Sequence, residues 1–149
     1  QLHLALVMAI DAKLLVLDEP TLGLDIIYRK EFYTNLLNDY FDEERTIVIT
    51  THQVEEVEHI LTDLLFIREG RIALEATMEE VEERYVELVA KPEKALDARH
   101  LHPIYEREQF GRHIFLYDNV SREQLKELGE LYTPSVADLF VAKIKGDAS

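Results

Sequence analysis

In the first half of the chain, short continuous apolar runs alternate with segments in which apolar residues recur at the spacing of a helix. Apolar residues are dense along 1–10, which predicts a helix buried on most sides. The run LLVL at 14–17 predicts a strand covered on both faces, as in a parallel sheet. Asp25 is then expected to cap a helix that ends near Tyr40. The side chains expected on its inner face are Ile26, Ile27, Phe32, Leu36 and Leu37.

The same alternation continues downstream. The β-branched run RTIVITT at 45–51 predicts a second buried strand, and the period of QVEEVEHILT, which follows it, predicts a second helix. The segment DLLFIREGRIALEA at 63–76 predicts a hairpin that turns at Glu69-Gly70. Thr77 is expected to cap a short helix after it. This succession of strands and helices predicts an α/β layer with a mostly parallel sheet.

The pattern changes near residue 85, where shorter strands and turn residues take over. Strands are predicted in VELVAKP, PIYEREQFG and RHIFLYD, and the last two form a hairpin through Gly111. A helix capped by Ser121 and stopped at Gly129 follows, then a brief strand in ELYTP and an amphipathic helix in SVADLFVAKI. We therefore predict a first domain over 1–85 and a small α+β unit over 86–149, for which a ferredoxin-like arrangement is one candidate.

The composition is that of a soluble globular protein. Apolar residues make up 47% of the 149 positions, which is enough for a packed core. No apolar stretch reaches the roughly 18–20 residues that cross a bilayer. The sequence has no cysteine, which excludes disulfides and thiolate metal sites. The formal charge is −14, so nucleic acid is not an expected partner, because phosphate binding draws on clustered Lys and Arg.

Candidate chemistry is concentrated where the two predicted strands end. Asp18 and Glu19 are adjacent at the end of the first strand, and His52 stands directly after the second. Because parallel strands present their carboxyl ends at one sheet edge, these side chains are expected to lie together. An Asp there can hold a magnesium ion against nucleotide phosphates, and a following Glu can polarise an attacking water. A turn that merely ends a strand is the competing interpretation of Asp-Glu-Pro.

The combination of LLVLDEPTLGLD at 14–25 with TIVITTHQVEEVE at 46–58 resembles the C-terminal half of an ABC transporter ATP-binding subunit. In this resemblance the apolar run with Asp18 is the Walker B motif, and LGLD at 22–25 is the D-loop. DLLFIREGRI resembles the hairpin that closes such domains. The resemblance covers roughly 1–85 and implies part of a P-loop NTPase-type fold, a parallel sheet with helices.

The resemblance also implies roles for five residues. Glu19 would position the attacking water, and His52 would contact the γ-phosphate. Asp18 would help to hold Mg²⁺, and Asp25 would couple the two nucleotide sites of a dimer. Gln1 would be the last residue of the signature loop. ATP and Mg²⁺ are the implied cofactors, and a second ATP-binding subunit, identical or different, and a transmembrane permease are the implied partners.

A phosphate cradle is missing from this sequence. A P-loop requires G-x-x-x-x-G-K-[ST], and none of the five glycines begins one. We therefore expect the C-terminal portion of a protein that couples ATP hydrolysis to transport, and we expect this portion to be inactive alone. The intact parent is expected in the cytoplasm, peripheral on the inner face of the cell membrane. The closing segment PSVADLFVAKI resembles that of exporter subunits, which favours export.

Other interpretations stay open. The parent could be an ABC-type ATPase of translation, chromosome or repair machinery, or the chain could be a non-catalytic regulatory or dimerisation module. His100 and His102, with Glu106 and His113 nearby, could hold a metal ion, although such spacing is weak support. The aromatic residues of the second hairpin are expected in its core rather than on a binding face. They are Tyr105, Phe110, Phe115 and Tyr117.

Overall fold

The computed structural model describes residues 10–42 and 44–146, and the chain divides into two compact units between Ile60 and Leu61. The helix predicted over 1–10 lies outside the described residues except for Ile10. The architecture is mixed α/β, with small sheets and short helices. None of the described helices is long and apolar enough to span a membrane.

The described part of the first unit, residues 10–42 and 44–60, is a strand–helix–strand–helix succession. Its strands are β1 (Leu14–Asp18) and β2 (Thr46–Thr50), and its helices are α1 (Ile26–Asn35) and α2 (Val54–Val57). A π-helical turn over Leu36–Tyr40 extends α1, and a 3-10 turn over Glu58–Ile60 extends α2. This order matches the elements that the hydrophobic pattern predicted between residues 14 and 60.

β1 and β2 pair in parallel, as the sequence predicted, and their register puts Asp18 opposite Thr50. Burial follows one face of β1 only. The buried side chains are Leu15 and Leu17, and the exposed ones include Leu14 and Val16, at 58% and 60%. The prediction of a strand covered on both faces is therefore wrong for the described residues. A continuous apolar run cannot separate the two cases, because one-sided burial shows in a sequence only when the exposed positions are polar.

Helix α1 starts where it was predicted, and only part of its predicted inner face is buried, namely Phe32 and Leu36. Asp25 caps it through hydrogen bonds to backbone N–H groups of the first turn. Its buried side chains, with those of the π-helical turn, are Phe32, Tyr33, Leu36 and Tyr40. Ile26 and Ile27, predicted on the inner face, are exposed at 70% and 65%. The buried face includes Tyr33 and Tyr40. The hydrophobic period did not predict them on this face, because their hydroxyls make tyrosine a weaker apolar signal.

Over residues 61–146, the second unit contains a hairpin, a four-stranded sheet, four α-helices and a 3-10 turn over Pro92–Lys94. The hairpin strands are β3 (Asp63–Arg68) and β4 (Arg71–Thr77), and α3 (Met78–Arg84) follows them. The sheet strands are β5 (Tyr85–Ala90), β6 (Tyr105–Gln109), β7 (Arg112–Asp118) and β8 (Gly129–Tyr132). The remaining helices are α4 (Ala95–Arg99), α5 (Arg122–Leu125) and α6 (Val136–Gly146). Thr77 forms the predicted capping box with Glu80 at the start of α3.

Both hairpins turn at the predicted glycines. Glu69 and Gly70 have φ of 51° and 74°, and Phe110 and Gly111 have φ of 51° and 72°. Two successive positive φ angles are typical of the type I′ turn, whose twist suits a two-residue hairpin loop. Phe110 is 96% exposed, so its predicted place in the hairpin core is wrong. The aromatic residues of β7 are buried as predicted; they are Phe115 and Tyr117.

The larger sheet has the strand order β6-β7-β5-β8 and is antiparallel throughout. Side chains from one face of it form a core with α4 and α5. The members are Val86, Leu88, Ala90, Ala95, Ala98, Phe115, Tyr117, Leu125 and Leu128. Gly129 begins β8 instead of stopping α5, the role predicted for it. A Cβ there would lie 2.1 Å from the carbonyl oxygen of Val89, so glycine allows β8 to approach β5 this closely.

Helix α6 is held on the opposite face of this sheet by charged and aromatic contacts. Arg107 of β6 forms ion pairs with Asp138 of α6 and with Glu87 of β5, the latter at 3.1 Å. Glu87 alternates along β5 with the core residues and so lies on the other face. Phe66 of β3 packs edge-on against Phe140 of α6, with ring centroids 5.1 Å apart. The β3–β4 hairpin therefore packs against α6.

The predicted domain boundary and the compact units do not coincide. A boundary after Tyr85 falls one residue into β5, whereas the units separate between Ile60 and Leu61. The hairpin assigned to the first predicted domain thus contacts a helix of the second. The compact units are defined by contacts within this chain, whereas the predicted domains are defined by resemblance to a family. The division into 1–85 and 86–149 therefore stays a prediction.

Candidate functional site

The two parallel strands end at one sheet edge, where the predicted acidic pair and histidine lie. Asp18 is the last residue of β1. The backbone N–H of Glu19 donates to the carbonyl oxygen of Thr50 at 2.8 Å, which extends the strand pairing by one residue. His52 follows β2 by two residues. The strand–helix–strand connection therefore brings Glu19 and His52 together although 33 positions separate them.

The carboxylate of Glu19 accepts three hydrogen bonds. Its Oε1 lies 2.6 Å from Nδ1 of His52 and 2.9 Å from the backbone N of the same residue. The hydroxyl of Thr51 donates to Oε2 at 3.0 Å. A carboxylate offers about four acceptor positions, so these donors leave about one for a water molecule. The group is thus held firmly while keeping capacity for one further donor.

These hydrogen bonds also determine the charge of the pair. The hydrogen bond from His52 lowers the pKa of the Glu19 carboxyl, and Thr51 and the His52 backbone N–H act in the same direction against partial burial. Glu19 is therefore ionised at neutral pH, and the proton of the shared hydrogen bond belongs on Nδ1 of His52. The His52 side chain is 67% exposed, which leaves Nε2 available to a ligand.

The backbone of Glu19 has a φ of 45°, in the left-handed region. This conformation is uncommon for a residue with a Cβ and costs about 1–2 kcal/mol. Such strain persists where surrounding contacts over-determine the backbone. The side-chain bonds to Thr51 and His52, together with the backbone bond to Thr50, are contacts of that kind.

Asp18 offers oxygen ligands suited to magnesium. The hydroxyl of Thr50 donates to its Oδ1, and the residue is exposed. Mg²⁺ prefers hard oxygen ligands and is commonly held by one or two carboxylates plus water and substrate phosphates. Asp18 fits that pattern as a single protein ligand. Within residues 10–42 and 44–146, no group of three or more acidic or histidine side chains is arranged to hold a metal ion.

The other candidate ligands have different positions. The Oδ1 of Asp25 accepts hydrogen bonds from the backbone N–H groups of Ile27 and Tyr28, at 3.0 and 3.2 Å. Its described role is that of a helix cap, and a contact across a dimer stays a prediction. Gln1 lies outside the described residues.

One histidine of the second unit, His113, takes part in an ion-pair cluster. Nδ1 of His113 lies 3.2 Å from Oε1 of Glu106. Arg99 donates to the other oxygen of the same carboxylate at 2.9 Å and holds the pKa of Glu106 below its usual range. The Arg99 guanidinium is hydrogen-bonded to the Glu106 carboxylate, which a metal ion at this position would need as a ligand. This contact disfavours the metal site considered for His100 and His102.

Two threonines of the site were not singled out from the sequence. Thr50 and Thr51 were interpreted only as β-branched strand formers, yet their hydroxyls donate to Asp18 and Glu19. The signal was their place at the end of a strand parallel to one that ends in Asp-Glu. Hydroxyl donors there can fix the orientation of the carboxylates of the neighbouring strand, and the hydrogen bond from Thr51 also helps to lower the pKa of Glu19.

Comparison with known proteins agrees with the motifs. No family model matches the chain. The lantibiotic transport ATP-binding protein SrtF of Streptococcus pyogenes is 41% identical over 75 residues, 50% of this chain and 32% of its own length. The ABC transporter ATP-binding protein YtrB of Bacillus subtilis is 27% identical over 88 residues, 59% of this chain and 30% of its own length. The glutamine transport ATP-binding protein GlnQ of Escherichia coli is 37% identical over 70 residues, 47% of this chain and 29% of its own length.

The predicted resemblance is thereby confirmed: the curated homologues are ABC transporter ATP-binding proteins, and they match about half of the chain. The chain spans about a third of the length of these relatives. A partial nucleotide-binding domain is consistent with both facts.

Proposed function

We propose that the chain is the C-terminal portion of an ABC transporter ATP-binding protein whose intact form hydrolyses ATP and couples the reaction to transport. The observation that carries the proposal is the Glu19–His52 pair at the ends of two parallel strands, 2.6 Å apart. The relatives named as transport ATP-binding proteins support the same conclusion. Their names also favour a transporter over an ATPase of translation, chromosome or repair machinery.

In this proposal Glu19 orients the attacking water as a hydrogen-bond acceptor. A general base acts best with a pKa near the working pH, whereas the hydrogen bond from His52 lowers the pKa of Glu19. Glu19 therefore holds and polarises the water rather than removing its proton before attack. His52, with Nδ1 committed to Glu19, presents Nε2 to the γ-phosphate.

Three further residues complete the proposed site. Asp18 holds Mg²⁺, which when bound neutralises phosphate charge during phosphoryl transfer. Asp25 couples the two nucleotide sites of a dimer, and Gln1 contributes from the signature loop. Thr50 and Thr51 keep the two acidic side chains in place through their hydroxyl hydrogen bonds.

The proposed fold has two parts. Residues 1–85 form part of a P-loop NTPase-type domain, which the parallel β1–β2 pair supports. Residues 86–149 form an accessory domain of the ferredoxin-like type. Support comes from the β5-α4-β6-β7-α5-β8 succession and from the order β6-β7-β5-β8, in which each of two strand–helix–strand connections spans an intervening antiparallel strand.

The proposed partners are a second ATP-binding subunit, identical or different, and a transmembrane permease. We place the intact protein at the cytoplasmic face of the cell membrane. Export is the proposed direction and rests on the closing helix over Val136–Gly146. A regulatory or dimerisation role of residues 86–149 alone is the second candidate, because their sheet has a core of its own.

The test compares Mg²⁺-dependent ATP hydrolysis by the 149-residue chain with that of a parent extended upstream to include a P-loop. We expect hydrolysis only in the parent, because the sequence of this chain contains no P-loop motif. Glu19→Gln in the parent should lower kcat by about 100-fold or more while ATP still binds. Glu31→Gln, the same change on an exposed position of α1, is the matched control and should keep full activity.

Two results would overturn the proposal. Hydrolysis by the short chain alone would show that the acidic pair performs other chemistry. Normal turnover in Glu19→Gln would remove the role given to Glu19. A parent that dimerises through residues 86–149 but hydrolyses no ATP would support the second candidate instead.

A further inference from the structure

A buried polar contact lies beside the candidate site in the first unit. Thr21 is 1% exposed, and its hydroxyl lies 3.3 Å from the hydroxyl of Tyr33 and 3.2 Å from Oε2 of Glu56. A buried hydroxyl without partners would cost free energy, so these contacts fix the side chain of Thr21. Thr21 belongs to the loop between β1 and α1, whereas Glu56 belongs to α2.

Arg29 of α1 contacts the second carboxylate oxygen of Glu56. Its Nε donates to the backbone carbonyl oxygen of Leu24 at 2.6 Å, and one terminal nitrogen donates to Oε1 of Gln53 at 2.9 Å. The same nitrogen forms an ion pair with Oε1 of Glu56. The side chains of Arg29 and Glu56 are 26% and 25% exposed, so solvent screens this pair only partly.

Each contact falls next to a residue of the proposed site. Thr21 is two positions after Glu19, Leu24 precedes Asp25, and Gln53 follows His52. Glu56 holds the start of the 19–25 loop through Thr21, and Arg29 holds its end through Leu24. The ion pair between them then ties this loop to the segment that carries His52.

We propose that Arg29 and Glu56 are positioning residues: their ion pair fixes the loop between Glu19 and Asp25 relative to His52, and so keeps the Glu19–His52 hydrogen bond formed. This inference rests on the proposed function for its effect on catalysis. Its structural part concerns only the geometry of His52 and can be measured without ATP.

The chemistry of the two side chains supports positioning over general stabilisation. Arginine has a planar fork that can donate to Leu24, Gln53 and Glu56 at once, which a lysine ammonium on a flexible stem cannot reproduce. Partly buried ion pairs often add little net stability, because removing charges from water offsets their attraction. The contacts of Arg29 and Glu56 are therefore better explained by the positions they fix than by a contribution to stability.

The first test measures kcat and KM for ATP in the extended parent. Glu56→Gln and Arg29→Lys should lower kcat by roughly tenfold or more while KM changes little, because misplacing a catalytic group slows chemistry more than binding. Glu55→Gln, the neighbouring exposed glutamate of α2, is the matched control and should keep the parent's kcat. Thr21→Val should act like Glu56→Gln, and Thr21→Ser should restore most of the activity.

The second test records the imidazole ¹⁵N signals of His52 in the 149-residue chain at neutral pH. The unaltered 149-residue chain should show Nδ1 protonated in its hydrogen bond to Glu19. In the Glu56→Gln chain, the chemical shifts of both ring nitrogens should move toward those of the Glu19→Gln chain. Circular dichroism on the same samples confirms that each variant is folded. A variant that unfolds is replaced by Arg29→Lys, which keeps the charge.

The outcomes separate the two proposals. Unchanged His52 signals and unchanged kcat in folded Glu56→Gln and Arg29→Lys would overturn the positioning role while leaving the ATPase proposal intact. An inactive parent with shifted His52 signals in the variants would overturn the ATPase proposal and support the positioning role. Equal losses of kcat in Glu55→Gln and Glu56→Gln would also contradict the inference.

Discussion

At the scale of single residues, Glu19 joins backbone strain, side-chain hydrogen bonds and charge in one position. Its φ of 45° turns the chain sharply at the end of β1, and its carboxylate accepts from Thr51 and twice from His52. The same donors that orient the carboxylate also favour its ionised form. Orientation and charge at this position therefore respond together to pH.

We predict that acidification removes a stabilising contribution of Glu19. Its pKa is lowered in the folded state, so its contribution is fully present above the unfolded pKa of about 4.3 and is lost as pH falls through the folded value. The free energy of unfolding of the wild-type chain should therefore approach that of Glu19→Gln as pH falls from about 6 to about 3. Urea unfolding at several pH values measures this difference.

Glu31→Gln is the control for that titration. Glu31 is exposed on α1, and its replacement should give a curve parallel to the wild type. A stability difference between wild type and Glu19→Gln that stays constant over this pH range would mean that the bonds to His52 and Thr51 do not form in solution.

The sequence allowed the residues of the candidate site to be named, but not all of their partners. Parallel pairing and an Asp-Glu at a strand end were enough to predict that Glu19 and His52 would meet, because parallel strands present their carboxyl ends at one sheet edge. The Arg29–Glu56 contact was not predictable in this way. It joins two helices across 27 positions, and neither residue type carries a local signal that distinguishes a partner from a solvated charge.

At the scale of elements, the two hairpin turns show how far local sequence determines conformation. Gly70 and Gly111 supply the second positive φ of each turn without steric cost. Glu69 and Phe110 supply the first, and neither residue type favours that conformation. Both hairpins therefore form with one unfavourable residue in each turn, which their paired strands must compensate.

We predict that Asn at these two positions stabilises the protein. Phe110→Asn and Glu69→Asn should each raise the free energy of unfolding by about 1 kcal/mol, because Asn-Gly is the favoured type I′ pair. Phe110→Leu is the control: Phe110 is 96% exposed, so exchanging one bulky apolar residue for another should change stability little. Thermal unfolding of the four chains measures the effect. A loss of stability in Phe110→Asn would show that the exposed ring makes a contact of its own.

Helix α1 shows where an element's position was predictable and its orientation was predictable only in part. The cap at Asp25 is local and was correct, since it needs only the side chain and the first-turn N–H groups. Which face turns inward depends on the shape of the partner surface. Tyr33 and Tyr40 are buried with their hydroxyls bonded to Thr21 and to the carbonyl of Ala12, contacts that a hydrophobic period does not encode.

At the scale of the whole molecule, the second unit is organised around its four-stranded sheet. Its central sheet is covered by α4 and α5 on one face, while α6 and the β3–β4 hairpin contact each other through Phe66 and Phe140. The order β6-β7-β5-β8 was not predictable, because nothing local in the sequence says which edge of β5 receives β8. The close approach of β8 to β5 at Gly129 explains the glycine at this position once the structure is known.

We predict that residues 61–149 fold without the rest of the chain and that residues 86–149 are less stable. The shorter fragment lacks Phe66, which packs on Phe140, and lacks Tyr85, a fully buried residue of β5. Deleting large buried aromatic side chains costs about 3–5 kcal/mol each. Denaturant unfolding of both fragments tests this expectation. Equal stability would favour the boundary after Tyr85 as the true edge of the folding unit.

The edges of the four-stranded sheet bear on how the protein behaves at high concentration. An edge strand carries unpaired backbone groups that can recruit a strand from another molecule and start aggregation. Here β6 carries Glu106, Arg107 and Glu108 in succession, and β8 is only four residues long. A second chain adding to β6 would have to bury these charges, and β8 offers little length to extend. Both edges are thereby protected against strand addition, which should limit aggregation as the protein concentration rises.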